Sequence, residues 1–127
     1  MKGFERAKRI GSSVQKGVSE LLRRDISDPR LAGATITGAK ASRDLGVVYV
    51  YYIMSGDSRA IKAAAAGFRS AEGFIRRSLA SMLKIKYMPV IRFRYDESFV
   101  YGTNIDNILR ELGNSDVPGG MQPDKEE

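Results

Sequence analysis

Residues 68–95 carry the stretch that decides the fold, FRSAEGFIRRSLASMLKIKYMPVIRFRY, which joins an amphipathic helix to a basic strand. Apolar residues recur at helical spacing on both sides of Ala71-Glu72-Gly73, but the position expected to be apolar there is Glu72. The pattern predicts a kink or a short helix–turn–helix step at Gly73. A helix that restarts after a glycine exposes backbone N–H groups that can bind a phosphate. A kink that only lets the helix wrap around a sheet would produce the same pattern.

Two amphipathic helices are predicted in this chain. Residues 5–24 place apolar side chains on one stripe, and Asp28-Pro29 ends this helix because the residue before a proline disfavours helical backbone. The second helix follows a turn in which Asp57 and Ser58 are both good N-cap residues, and it contains the interruption at Gly73.

Three strands are predicted at residues 34–42, 47–54 and 89–95. The apolar phase of the first strand slips by one residue at Gly38, which indicates a β-bulge. The second strand, VVYVYYIM, is apolar on both faces, so we expect it to be central or well covered. The third alternates apolar with basic side chains, so one face of the sheet should be basic.

The element order is therefore α–β–β–α(kink)–α–β, with a short closing helix predicted at residues 105–112. This order predicts an α+β fold, a three-stranded sheet covered on one face by helices. Residues 1–112 are expected to form one domain. Residues 113–127 contain two prolines and two adjacent glycines, and we expect a disordered tail there.

The charge of the chain is asymmetric. Residues 1–112 carry 20 Lys and Arg against 11 Asp and Glu, whereas the tail has a net charge of −3. Such a body favours a polyanion, either nucleic acid or an acidic membrane surface, although a basic domain with scattered charge has the same composition. No apolar run approaches the roughly 20 residues that span a bilayer, and the N-terminus has no apolar segment of a secretory signal.

The residue types argue against catalysis. Cysteine and histidine are both absent, which removes thiolate chemistry and the usual acid–base group at neutral pH, and is compatible with a reducing cytoplasm. The carboxylate pairs Asp25…Asp28 and Asp96-Glu97 do not form a convergent cluster, because neighbouring strand residues point to opposite faces. We therefore expect no enzyme activity, no cofactor, no metal and no small-molecule substrate.

The candidate nucleic-acid contacts are the cations and the helix interruption: Arg6, Lys8, Arg9, Arg43, Arg69, Ala71, Gly73, Arg76, Arg77, Lys84, Lys86, Arg92 and Arg94. Lysines at a helix end also interact favourably with the helix dipole, and charges on an edge strand also prevent aggregation. Most of the six tyrosines lie in apolar strand patterns that favour packing, but Tyr87 and Tyr101 could stack on bases.

Several motifs, in the same order along residues 4–112, resemble ribosome-binding factor A of bacteria. They are Asp28-Pro29-Arg30-Leu31, Thr35-Ile36-Thr37, Ser42-Arg43-Asp44-Leu45, Val48-Tyr49-Val50, Ala71-Glu72-Gly73-Phe74-Ile75-Arg76 and Tyr95-Asp96-Glu97-Ser98. That family is similar to type II KH domains, with an Ala-x-Gly kink in place of the GxxG turn that clamps a nucleic-acid backbone. The resemblance implies a KH-like fold, with the kink at Ala71-Glu72-Gly73.

The resemblance also implies a function. It implies a non-catalytic assembly factor that binds the free 30S ribosomal subunit and supports late maturation of 16S rRNA, associated with the 5′ end of that rRNA and with growth in the cold. We expect a cytoplasmic monomer with the 30S subunit and 16S rRNA as partners and no membrane partner. A general binder of single-stranded RNA or DNA and a nuclease acting on precursor rRNA remain alternatives.

Overall fold

The computed structural model of the protein describes residues 2–98. Its elements are helix α1 (Lys2–Arg24), a 3₁₀ helix (Pro29–Leu31), strands β1 (Ala34–Ala41) and β2 (Val47–Met54), helix α2 (Ser58–Leu83) and strand β3 (Val90–Tyr95). Residues 1–95 form one compact unit, and the second unit begins at Asp96. The helix predicted at residues 105–112 and the tail predicted at 113–127 lie outside the described residues.

The three strands form one sheet in the order β1-β2-β3, so the prediction that β2 is central is confirmed. Strand β1 pairs antiparallel with β2, and β3 pairs parallel with β2 through the crossover helix α2. The bulge predicted at Gly38 is confirmed as well. Ile36 pairs with Tyr52 and Gly38 pairs with Tyr51, so Thr37 is the extra residue of β1.

Both helices pack on the same face of the sheet, α1 mainly against β1 and α2 mainly against β3. The main core cluster consists of Val14, Val18, Leu21, Val48, Val50, Ile75, Leu79 and Ile91. A second cluster lies closer to the 3₁₀ helix and contains Leu31, Tyr52, Ala64 and Phe68. The inward positions of β2 and β3 are thus buried against the helices, and the predicted α+β architecture is confirmed.

Helix α2 corrects one prediction, because it runs without a break from Ser58 to Leu83. The predicted helix–turn–helix step at Gly73 is therefore wrong, whereas the alternative of a kink within the helix stays a prediction. The buried stripe passes through Ala71, which packs against the core, rather than through Glu72. Glu72 lies beside the stripe, with a carboxylate oxygen 3.8 Å from the guanidinium of Arg92 on β3. A single glycine costs a helix only about 1 kcal/mol, which the packed stripe on both sides offsets.

Replacing Gly73 with alanine is expected to raise the free energy of unfolding by about 0.5–1 kcal/mol in denaturant titrations, because alanine favours helical backbone more than glycine does. The added methyl group would meet only the mobile end of Arg77, at 3.2 Å. Gly17→Ala in α1 is the matched control, since its methyl would lie 2.5 Å from Cδ2 of the buried Leu79. Overpacking there costs about 1–3 kcal/mol, so this control should lose stability. Lower stability of the Gly73 variant would mean that this residue leaves the helical conformation in solution.

Short polar contacts fix where the elements begin. The carboxylate of Asp57 accepts a hydrogen bond from the Ala60 amide at 3.1 Å and caps α2, as one of the two predicted candidates. Asp28 caps the 3₁₀ helix by accepting from the amide and side chain of Arg30. The hydrogen bonds from the Arg30 side chain, and then from its amide, lower the pKa of Asp28. Helix α1 itself already ends at Arg24.

Candidate nucleic-acid interface

The predicted cations do not form one continuous face, and most of them separate into three groups on different elements. The first group lies where the N-terminal half of α1 approaches the β1–β2 loop and the α2–β3 connection. It consists of Arg6, Lys8, Arg43 and Lys86, and is called the loop-end cluster below. The second lies on α2 and the third on β3.

The loop-end cluster surrounds two neighbouring clefts. The larger cleft, about 470 Å³, brings Arg6 of α1 beside Lys86 and Tyr87 of the α2–β3 connection. The Tyr87 side chain is 78% exposed, and the Lys86 ammonium lies 5.4 Å from its ring centroid. A cation beside an exposed ring is an arrangement that can contact both a phosphate and a base.

The smaller cleft, about 260 Å³, is lined by Lys8 of α1 and Arg43 of the β1–β2 loop. Phe4 also lines it, with 51% of its surface exposed, and the Lys8 ammonium lies 5.7 Å from its ring centroid. The two clefts therefore repeat one arrangement, cations next to an exposed aromatic ring, at the same end of the compact unit.

The β1–β2 loop that carries Arg43 is organised by Asp44. Its carboxylate accepts hydrogen bonds from the Ser42 hydroxyl at 2.7 Å and from the Gly46 amide at 3.0 Å. These two bonds lower the pKa of Asp44, with the Ser42 hydroxyl as the larger cause. Leu45 takes a left-handed conformation with φ 62°. The carboxylate thus has a structural role in the loop that presents Arg43.

The second group of cations lies on α2, and its members differ in role. Arg69 and Arg77 are exposed. Arg76 donates hydrogen bonds to the carbonyl oxygens of Met88, at 2.7 Å, and Pro89, at 3.1 Å, and so ties α2 to the segment leading into β3. This role was not predictable from sequence, because the acceptors are backbone atoms of a distant segment.

The remaining predicted contacts are dispersed. Ala71 faces the core, and Gly73 is exposed within the continuous helix α2. Arg9 is exposed on α1. Lys84 ends α2 in a left-handed conformation with φ 54°, and its amide donates to the Ala80 carbonyl at 3.0 Å.

The third group lies on the face of the sheet opposite the helices, called the open face below. Its strand positions include Gly38 and Lys40 of β1, Tyr49 and Tyr51 of β2, and Arg92 and Arg94 of β3. Arg92 and Arg94 are exposed there, as the alternation of β3 predicts. Sequence analysis missed Lys40, whose side of the sheet depends on the bulge at Thr37.

The tyrosines divide between core and surface. Tyr52 is buried against the rings of Phe68 and Tyr95, and this burial raises the pKa of its hydroxyl. Tyr49 and Tyr51 are half-buried on the open face. Tyr87 is exposed at the loop-end cluster, where stacking on a base is sterically possible. Tyr101 lies outside the described residues.

The described part of the chain has neither a metal-binding cluster nor a membrane-spanning helix. Residues 2–98 contain no group of three or more His, Cys, Asp or Glu side chains arranged to hold a metal ion. Over the same residues, neither helix combines the length and apolar character needed to cross a membrane.

Comparisons with known proteins all return one family. The sequence profile of the family described as Ribosome-binding factor A matches residues 6–109. A ribosome-binding factor A from Desulfosudis oleivorans is 64% identical over 129 aligned positions, covering 100% of both chains. The crystal structure of ribosome-binding factor A from Thermus thermophilus has a TM-score of 0.63 at 20% identity, over 70% of this chain and 93% of that chain.

A second similar structure comes from a complex of that relative with a partner. It is a homology model of Thermus thermophilus ribosome-binding factor A, fitted into the cryo-EM map of its complex with the 30S subunit. Its TM-score is 0.61 at 20% identity, over 72% of this chain and 96% of that chain. At this level of identity, the two structures establish a shared fold.

Proposed function

Because the chain belongs to the ribosome-binding factor A family, we propose that it binds the free 30S ribosomal subunit and supports late maturation of its 16S rRNA near the 5′ end, without catalysing a reaction. The observation that carries this proposal is the 64% identity, over the whole chain, to a protein named as a ribosome-binding factor. The fitted 30S complex of the Thermus thermophilus relative supports the choice of subunit.

The loop-end cluster is the surface that we assign to first contact with rRNA. Four cations from three separate elements converge there, and Lys and Arg that neutralise phosphates supply most of the sequence-independent affinity for a nucleic acid. Phe4 and Tyr87 are exposed in the same place and offer apolar faces to unpaired bases. Arg69 and Arg77 on α2 can extend this contact along the helix.

Binding alone is sufficient for the proposed mechanism. A protein that binds one conformation of an rRNA segment more tightly than another shifts the population toward the conformation it prefers. The cations then hold a local RNA conformation while the subunit matures, and the protein leaves when a later conformation no longer fits. This mechanism needs no catalytic group.

The proposal is tested by sedimentation of a cell lysate, followed by binding of the purified protein to isolated particles. We expect the protein to travel with free 30S subunits and not with intact ribosomes, and to bind isolated 30S subunits more tightly than free oligonucleotides. Equal distribution between free subunits and intact ribosomes would contradict the proposal.

A general binder of single-stranded RNA is the second candidate, and the exposed ring of Tyr87 beside Lys86 is the observation that favours it. It predicts comparable affinity for oligonucleotides and for assembled 30S subunits in the same binding experiment. A nuclease would instead cleave precursor rRNA when Mg²⁺ is added, and would lose that cleavage when carboxylates are substituted.

A further inference from the structure

The open face combines cations and aromatic rings in an ordered pattern. Lys40, Tyr49 and Arg92 are neighbours in one row across the three strands, which places a ring between two cations. Gly38, Tyr51 and Arg94 form a neighbouring row two residues further along β2. Adjacent strands are about 4.8 Å apart, so each row spans about 10 Å.

The charge of this face has one sign. The three strands contain three cations at outward positions and not one Asp or Glu. Glu72 of helix α2 brings a carboxylate oxygen to 3.8 Å from the Arg92 guanidinium, and the Arg92 side chain is still 56% exposed. The face is therefore complementary to a polyanion.

The aromatic rings make a particular polyanion the best fit. Tyr49 and Tyr51 lie two positions apart on β2, so their Cα atoms are about 6.6 Å apart and their rings can serve two separate bases. The Arg94 guanidinium carbon lies 4.2 Å from the Tyr49 ring centroid, and a guanidinium plane is itself a surface on which bases stack. Duplex RNA hides the faces of its bases, whereas a single strand exposes them.

Among residues 2–98, the approach to Tyr51 is unobstructed on the β1 side. Its neighbour there is Gly38, and a Cβ added to Gly38 would meet no atom within 4 Å. Lys40 and Gly38 lie on this face because of the bulge at Thr37. If Thr37 paired with Tyr51 in a regular ladder, Lys40 would pair with the buried Val48 and face the core, since a one-residue slip reverses the faces of a strand.

We propose that the open face is a second RNA-binding surface, which takes an unpaired segment of rRNA by stacking one base on Tyr51 and one on the Arg94 guanidinium that lies over Tyr49, while Lys40 and Arg92 contact the flanking phosphates. It adjoins the loop-end cluster, because Lys40 also lines the smaller cleft, but Tyr49 and Tyr51 lie outside both clefts. The inference rests on the proposed function only in taking RNA as the partner.

The test measures binding of a fluorescently labelled oligouridine, and of an RNA duplex, to the full chain and to the double variant Tyr49→Leu, Tyr51→Leu. Leucine keeps an apolar side chain at both positions and leaves every charge in place. We expect the double variant to bind oligouridine about tenfold or more weakly, with duplex binding and the salt dependence unchanged. Thermal unfolding confirms that the variant is folded.

A second variant, Lys40→Gln with Arg92→Gln, keeps both rings and addresses the phosphate contacts. Its oligouridine affinity should fall, and the slope of log affinity against log salt should flatten by about 1.4, since each phosphate contact with a single strand contributes about 0.7. Arg59→Gln with Lys62→Gln removes the same charge from exposed positions on α2 and should leave this slope nearly unchanged.

Four outcomes would overturn the inference. The first is equal oligouridine affinity of the wild type and the double tyrosine variant, and the second is no oligouridine binding by the wild type. The third is that the wild type self-associates and the double tyrosine variant does not. The fourth is that the chain binds oligouridine only after the acidic residues 113–127 are removed. The third would assign the face to a second copy of the chain, and the fourth to its own tail. Because 30S binding is measured on the same proteins, failure of the proposed function appears separately, as loss of subunit binding by the wild type.

Discussion

Replacing Phe68 with alanine is expected to lower the free energy of unfolding by about 3–5 kcal/mol, the largest effect of any single substitution considered for this chain. Phe68 is 1% exposed and belongs to the second core cluster. Its ring stacks on Phe93 of β3 with centroids 4.4 Å apart, and lies 4.4 Å from the Tyr52 ring of β2. Alanine at this position would leave a cavity where α2 contacts two strands.

Urea titration of the free energy of unfolding measures this loss. The matched control is Phe74→Ala, which removes the same side chain from the same helix at a position that is 41% exposed. We expect the control to lose less than about 1 kcal/mol, since surface substitutions have small effects. Similar losses for both variants would show that Phe68 is not packed between helix and sheet. Because a small domain is stable by only about 5–15 kcal/mol, the Phe68 variant should unfold at a markedly lower denaturant concentration.

Neutralising the loop-end cluster has the second large expected effect, and it acts on binding rather than on stability. The triple variant Arg6→Gln, Arg43→Gln, Lys86→Gln should bind 30S subunits at least about tenfold more weakly at low salt. Each cation that contacts a phosphate contributes about 1 to the slope of log affinity against log salt, so the slope should flatten by about 3. All three side chains are exposed, and so the fold should be retained.

A charge-matched control separates this local effect from the loss of net charge. The variant Lys16→Gln, Arg59→Gln, Lys62→Gln removes three exposed cations outside the loop-end cluster. It should retain most of the affinity and most of the salt slope. Equal losses in both triple variants would assign binding to overall charge, and the loop-end cluster would no longer be a defined site. Arg76 is left unchanged in both, because its hydrogen bonds to Met88 and Pro89 would confound stability with binding.

The strands were predictable from sequence because period-two patterns and glycine carry direct physical information. The bounds of β2 and its central place follow from VVYVYYIM, which has no polar face to present to water. The bulge follows from the apolar phase slip at Gly38. The continuous helix α2 was missed because the stripe was assumed to pass through Glu72, whereas the small side chain of Ala71 fills that position.

The candidate site was less predictable, because it depends on contacts between distant segments. Arg43 lies 37 residues after Arg6 and 43 residues before Lys86, and only the fold brings the three around neighbouring clefts. Charge alone identified them as candidates but could not group them. Lys40 was not among the predicted contacts, although its outward direction follows from the phase slip at Gly38 that the structure confirms.

The parallel pairing of β2 with β3 has a consequence for how the protein forms. Strands β1 and β2 are joined by a short loop, whereas β3 reaches β2 only after the 26 residues of α2. Long-range parallel pairing closes a large loop and is slow, so β3 is expected to dock after the β1–β2 hairpin has formed. Arg92 and Arg94 lie on β3, so they join the sheet only when this strand docks. A chain still being synthesised therefore has no complete open face until β3 has emerged and docked, so that the RNA binding proposed for this face would report a finished fold.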